Sequence, residues 1–174
     1  MALFAIPIAA SILAYHFFRP QGSTNHGELL APPVPVTEAA FHRVTGEAFR
    51  FAQLRGKWIL VASDSGSCPE SCLAKLATMR QVRLALGRNA LRLERVFVAD
   101  DTRPVDGAAL EPFGGTVVVT PETGTHLPLS AANDRAHFYV VDPNGNVMMR
   151  YPANSDPRGM LKDLERLLRA SQIG

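Results

Sequence analysis

Lys57 to Ser63 read "KWILVAS". After the lysine the run is apolar, without the alternation of a strand wet on one face, and it is too short for an ordinary helix. It reads as a fully buried strand, and such strands belong to sheets covered on both sides. A chain containing one is constrained to a layered α/β architecture, and its neighbours agree. "DSGS" at 64–67 reads as a loop, followed by a helix from about Pro69 to Leu86. Pro69 suits the first helical position, Ser67 or Cys68 the cap, and Gly87 the stop. "LERVFVADD" at 93–101 and "TVVV" at 116–119 read as further strands, with an irregular connection over 102–115 and a short edge strand over 47–51. "HFYVVDPNGNVMMRYP" is a hairpin signal, two apolar runs around Pro143-Asn144-Gly145. In the closing helix Met160, Leu161, Leu164, Leu167 and Leu168 make an apolar face, with Lys162, Asp163, Glu165, Arg166 and Arg169 opposite. This order of elements predicts a central sheet with helices on both faces.

The first 18 residues carry no formally charged side chain, and Arg19-Pro20 ends the run. A helix of that length spans roughly 27 Å, near the thickness of a bilayer core. Tyr15, Phe17 and Phe18 fall where interfacial aromatics would sit. A cleaved signal peptide would want a positive start and a better cleavage site than "AAS" at 9–11. Pro7 and the abrupt polar switch after Arg19 argue against a buried helix of the folded domain. Residues 1–19 are therefore expected to be a transmembrane anchor, residues 20–40 a flexible tether, and residues 41–174 the folded domain. Arg19 alone, under the positive-inside rule, would place that domain in the cytoplasm. With 174 residues, 47% of them hydrophobic, the chain can build one real core. A net charge of +2 without a lysine or arginine run gives no footprint for nucleic acid.

Cys68 and Cys72 are the only cysteines, held in "CPESC". Two cysteines make no disulfide framework, and a bridge closing so short a loop constrains the unfolded chain little. Chemistry is the better reason for them. At i and i+4 they share a helix face, so they can close a disulfide or present two sulfurs to one ion. At a helix start Cys68 meets free backbone N–H groups, which favour the thiolate; Asp64 and Glu70 oppose that shift. Cys72, a turn deeper, would be the resolving partner. Two thiolates suit a soft ion such as Cu(I), whereas tetrahedral zinc wants more ligands. The ordinary alternative is a pair of small buried hydrophobes. His126 and His137 are the imidazoles of the expected domain core, while His16, His26 and His42 belong to the anchor and tether region.

The order of elements and the CxxxC placement resemble the thioredoxin fold, and within it the Sco/SenC family of membrane-anchored copper-handling proteins used in cytochrome c oxidase assembly. "RGKWILVAS", "CPESC", "YVVDPNGNV" and the last helix carry the likeness over roughly residues 41–171. The resemblance implies a thioredoxin-like three-layer domain with a central mixed sheet. It also implies copper held by Cys68 and Cys72, and a domain on the periplasmic side of the inner membrane. The family proline after the second cysteine is replaced by Leu73. The family's third ligand, a histidine, would fall near Asp134, and His137 is the nearest one. A metal set of Cys68, Cys72 and His137 follows as an expectation; the ordinary reading of His137 is a strand residue bonded across the sheet, and of His126 a surface group. Asp100 and Asp101 would orient a partner or simply be solvated.

Three functions are compatible with these residues. One is a Cu(I)-binding factor for a respiratory oxidase subunit. Another is a tethered thiol–disulfide oxidoreductase in which Cys68 attacks and Cys72 resolves. The third is a non-catalytic assembly scaffold. Peroxidase chemistry fits poorly, since "DSGSC" offers no threonine beside the thiol.

Overall fold

The computed structural model describes residues 25–123, 125 and 135–171, together with Pro7 and Leu13. The expected anchor and His16, His126 and Asp134 otherwise lie outside these residues. Among the described residues no helix is long and apolar enough to cross a membrane.

Among the described residues eight strands form one mixed sheet in the order β1-β8-β7-β4-β5-β6-β2-β3. They are β1 (Glu28–Pro35), β2 (Ala40–Arg43), β3 (Ala48–Arg50), β4 (Trp58–Asp64), β5 (Leu93–Ala99), β6 (Thr116–Pro121), β7 (His137–Val141) and β8 (Asn146–Pro152). The helices are α1 (Glu70–Ala85), a single turn α2 (Gly107–Leu110) and α3 (Pro157–Ala170). β4 is central and buried along its whole length, parallel to β5 and antiparallel to β7. The parallel pairing requires a crossover, which α1 supplies. The thioredoxin-like α/β class expected from the sequence is the one observed.

The layering differs from the expectation of helices on both faces. Cys72, Leu76, Met79 and Val82 of α1 and Met160, Leu164 and Leu168 of α3 pack in one core cluster, on one face. The other face is covered without a long helix, by Val36, Phe41, Phe49 and Phe51 over Ile59, Val61, Val96 and Val98. The Phe51 ring stands edge-on to both Phe41 and Phe49, so three aromatics pack together in this cover.

Two local devices fix the sheet. In the β7–β8 turn, Asp142 Oδ1 accepts from the Asn144 and Asn146 amides at 2.9 and 2.8 Å, and Gly145 takes φ +90°. A side chain at 145 would be strained and would strike Thr37. The second device lies in the segment expected to be a free tether. Residues 28–35 form β1 on β8, and Val36 is buried. The His26 and Gly27 amides donate to Asp163 Oδ2 at 2.7 and 3.0 Å, and Tyr151 Oη donates to the same oxygen at 3.2 Å. Asp163, placed by the sequence reading on the solvent side of α3, is therefore a buried acceptor. Burial pushes its carboxyl upward, but the amides of Gly27 and His26 and the Tyr151 hydroxyl outweigh it and hold it below 3.8. Burial, and then Asp163 itself, push the Tyr151 phenol well above its ordinary value.

Candidate functional site

β4 ends at Asp64, and the chain turns through Ser65, Gly66 and Ser67 into α1. Cys68 precedes the helix, Pro69 takes the cap position, and Glu70 opens the first turn. Cys68 and Cys72 are disulfide-bonded, with Cα atoms 5.0 Å apart. Cys68 is 4% exposed and Cys72 is fully buried, so the outer sulfur is that of Cys68. Ser67, Pro69, Glu70 and Ser71 around it are exposed.

Cys68 has φ +40°, the one non-glycine residue with a positive φ among those described. That region costs an L residue about 1–2 kcal/mol. It persists where surroundings over-determine it. Here the Cys68 amide donates to Ser65 O at 3.0 Å and the sulfur is bonded to the helix. The loop is also held from the side. Gly66 N donates to Asp101 Oδ1 at 3.0 Å, and Asp106 N donates to Gly66 O at 3.0 Å. Arg103 Nη1 reaches Ser67 Oγ at 3.4 Å. Burial raises the Asp101 carboxyl, but the Ser65 hydroxyl, the Gly66 and Arg103 amides and Arg135 prevail and bring it down to about 2. Asp100 and Asp101 are thus neither solvated strand ends nor free to orient a partner; they hold the cysteine loop and Arg135.

A Cβ at Gly66 would fall inside contact distance of Arg103 O and 3.2 Å from Pro104 O, both main-chain atoms that cannot rotate away. Gly66→Ala is expected to cost about 1–3 kcal/mol and to loosen the loop. Urea unfolding reads the first effect, and faster reduction of the disulfide by dithiothreitol reads the second.

Beneath the loop lies a charged cluster that the sequence reading missed. Lys75, on the face of α1 that carries Cys72, is buried and donates from Nζ to Asp64 Oδ2 at 2.6 Å, Ser63 O at 2.6 Å and Arg135 O at 3.0 Å. Arg135, just before β7, bonds Asp100 through Nε at 3.0 Å and Nη2 at 2.5 Å, and its Nη1 lies 3.7 Å from Asp64. The Asp100 hydrogen bond leads in raising the Arg135 guanidinium above its ordinary value. Spacing was the available signal for Lys75: it is three residues from Cys72 and one before Leu76, inside the buried stripe.

His137 is not brought to the sulfurs. It alternates along β7 with Phe138, which packs in the cluster holding Cys68 and Cys72. Tyr139 and Val141, the strand neighbours that share its side, pack on the other face. The His137 and Tyr139 rings are 6.0 Å apart. Among the described residues no group of three His, Cys, Asp or Glu is arranged to hold a metal ion. The cysteine sulfurs among the described residues are the disulfide-bonded pair Cys68 and Cys72.

Residues 58–171 match the family model described as transmembrane-like, thioredoxin-like, C-terminal domain. Similar solved structures include apo Sco1 from Thermus thermophilus, at 19% identity over 84% of this chain and 99% of that one, with a TM-score of 0.67. Yeast Sco1 with copper bound is 15% identical over 86% and 96%, with a TM-score of 0.64. A SCO1/SenC family lipoprotein from Bacillus anthracis is 20% identical over 79% and 98%, with a TM-score of 0.58. At these identities the likeness is one of fold. No curated protein sequence matches the chain.

Proposed function

We propose a function from the premise that this chain belongs to the transmembrane-like, thioredoxin-like family whose C-terminal domain model spans residues 58–171. It acts as a Sco/SenC-like tethered dithiol factor in cytochrome c oxidase assembly, with Cys68–Cys72 as its working pair. Residues 1–19 anchor it in the inner membrane with the domain in the periplasm. The observation that carries this reading is the paired cysteines at the junction of the central strand and its helix.

In the reduced protein Cys68, the outer sulfur at the start of α1, attacks a client disulfide as thiolate. A mixed disulfide forms and one client thiolate leaves. Cys72 then attacks Cys68 Sγ, the Cys68–Cys72 bond forms, and the client departs as a dithiol with two electrons and two protons gained. A thiol donor in the same compartment returns the pair to the reduced state.

A second reading, Cu(I) held by the reduced pair as cargo, is favoured by the soft two-sulfur donor set. The copper-bound state of yeast Sco1, a neighbour in fold, supports it. His137 would have to cross to the cysteine face to serve as third ligand, so this reading rests on Cys68 and Cys72.

The test uses the full chain in detergent micelles. Reduced protein is mixed with a disulfide-bonded peptide, and products are trapped by alkylation. Wild type should release reduced peptide, Cys72→Ser should accumulate the mixed disulfide, and Cys68→Ser should do neither. Exchange unchanged by both substitutions would defeat the redox reading. In parallel, competition with a chromogenic Cu(I) chelator should give one Cu(I) per reduced chain, lost in Cys72→Ser; no binding would remove the copper reading and leave exchange standing.

A further inference from the structure

Lys75 is the one buried lysine among the described residues, and its three donors are all used: on Asp64, on Ser63 O and on Arg135 O. It lies one turn after Cys72 on the inward face of α1, in a row with Cys72, Leu76 and Met79. Asp64 lies four residues before Cys68, and its other oxygen accepts from the Ser65 amide at 2.8 Å. A buried cation on the helix that carries Cys72 is therefore paired with a buried anion at the end of the strand that leads into Cys68. A surface pair in this position would be screened by water, but this one is not.

We infer that Lys75 and Asp64 together set the reduction potential of the Cys68–Cys72 pair, with Lys75 favouring the reduced state and Asp64 opposing it. The inference rests on the redox reading above and deepens it.

When a dithiol reduces the pair, the S–S bond breaks and two electrons arrive on Cys68 and Cys72 as the donor becomes a disulfide; one of the donor's two protons stays with the pair and the other passes to solvent, so the reduced pair holds one thiol and one thiolate. That thiolate belongs to the reduced state and has no counterpart in the disulfide, so whatever stabilises it shifts the equilibrium toward the reduced pair. Cys72 is fully buried, so no water stabilises negative charge on it. Fixed charges then act with little screening. The ammonium one helical turn away attracts that charge, and the Asp64 carboxylate repels it. As a neutral couple the two partly cancel, so neutralising either one exposes the other.

Lys75 also joins β4, α1 and the segment before β7, and that tie alone could explain its presence. The two roles differ in sign. A tie predicts that neutralising either partner weakens the fold and leaves the redox equilibrium alone. A charge setting predicts opposite shifts in the potential. Lys75→Gln keeps N–H donors and removes the cation; Asp64→Asn keeps an acceptor and removes the anion. Both residues act through the sulfurs rather than on a client, and are positioning residues.

The experiment equilibrates the full chain in detergent micelles with mixtures of reduced and oxidised dithiothreitol at pH 7. The thiol fraction is read by alkylation and mass, with circular dichroism confirming the fold of each variant. Lys75→Gln should shift the equilibrium about tenfold toward the disulfide, and Asp64→Asn about tenfold toward the dithiol. Each corresponds to about 30 mV for a two-electron couple. The double variant should return to within about twofold of wild type, by the same cancellation. Lys75→Arg, which retains the charge, should stay with wild type. If Lys75→Gln fails to fold, Asp64→Asn and Lys75→Arg carry the test. Shifts in the same direction, or no shift in variants that fold, would overturn the inference while leaving the redox reading intact. A wild-type pair that no dithiothreitol ratio reduces would overturn both.

Discussion

Truncating Asp163 to alanine should destabilise the protein by about 3–5 kcal/mol. The carboxylate accepts from two backbone amides and the Tyr151 hydroxyl, and His26 Nδ1 stands 3.3 Å from its other oxygen. Alanine removes the acceptor from the His26 amide and strands the buried Gly27 amide, while the Tyr151 hydroxyl keeps Met149 Sδ, a weaker acceptor, at 2.7 Å. Each stranded donor costs about 1–3 kcal/mol. Asp163→Asn, which keeps one acceptor oxygen, should lose less than half as much. The effect also has a pH signature. The folded carboxyl lies below 3.8, so its stabilisation is fully present above the ordinary aspartate range and is lost as pH falls through the lowered value. Urea unfolding at neutral pH and at pH 3 should show the gap between wild type and Asp163→Ala narrowing in acid. A gap below about 1 kcal/mol at neutral pH would remove Asp163 from the core's supports.

Lys75→Met should cost about 3–5 kcal/mol, because it leaves Asp64 buried without its cation. The side chains are 5% and 4% exposed, so water cannot take the place of the missing partner. Arg135 Nη1, at 3.7 Å, offers Asp64 only a distant substitute. Adding Asp64→Asn in the same chain should recover much of the loss, since the uncompensated charge disappears. Equal unfolding midpoints for Lys75→Met and the double variant would contradict this account.

The parts of the fold legible in the sequence are those whose cause is local. β4 follows from an apolar run too short for a helix. The β7–β8 hairpin follows from Pro143-Asn144-Gly145, and α3 from its 3.6-residue rhythm behind Asp156 and Pro157. β1 was hidden because "PPVPV" describes an extended chain equally well when free or paired, and its partner lies at the far end of the sequence. The cover of the second face was hidden because Phe41, Phe49 and Phe51 come from three short pieces, none of which has a helical period. Asp163 was misread through its charge; its position at i+3 from Met160 and beside Leu164 already placed it on the inner side.

At the site, the cysteines and their place between strand and helix were legible from spacing. The side to which His137 points was not. Parity along a strand assigns faces when one face is wet, and β7 is buried on both from Phe138 onward. The Lys75–Asp64–Arg135 cluster joins three segments distant in sequence, and no local pattern announces such a meeting.

The seam between β1 and β8 has a consequence for how the protein is made. Glu28 and Arg150, ion-paired across it, are 122 residues apart. A ribosome adding roughly 5–20 residues each second keeps β1 waiting about 6–25 s for its partner. During that interval it is an orphan strand near the start of the chain. Pro32, Pro33 and Pro35 deprive it of amide donors, so it makes a poor template for pairing with a neighbouring nascent chain. The same prolines that made the segment look like a tether equip it to wait unpaired and then to form the outer edge of the finished sheet.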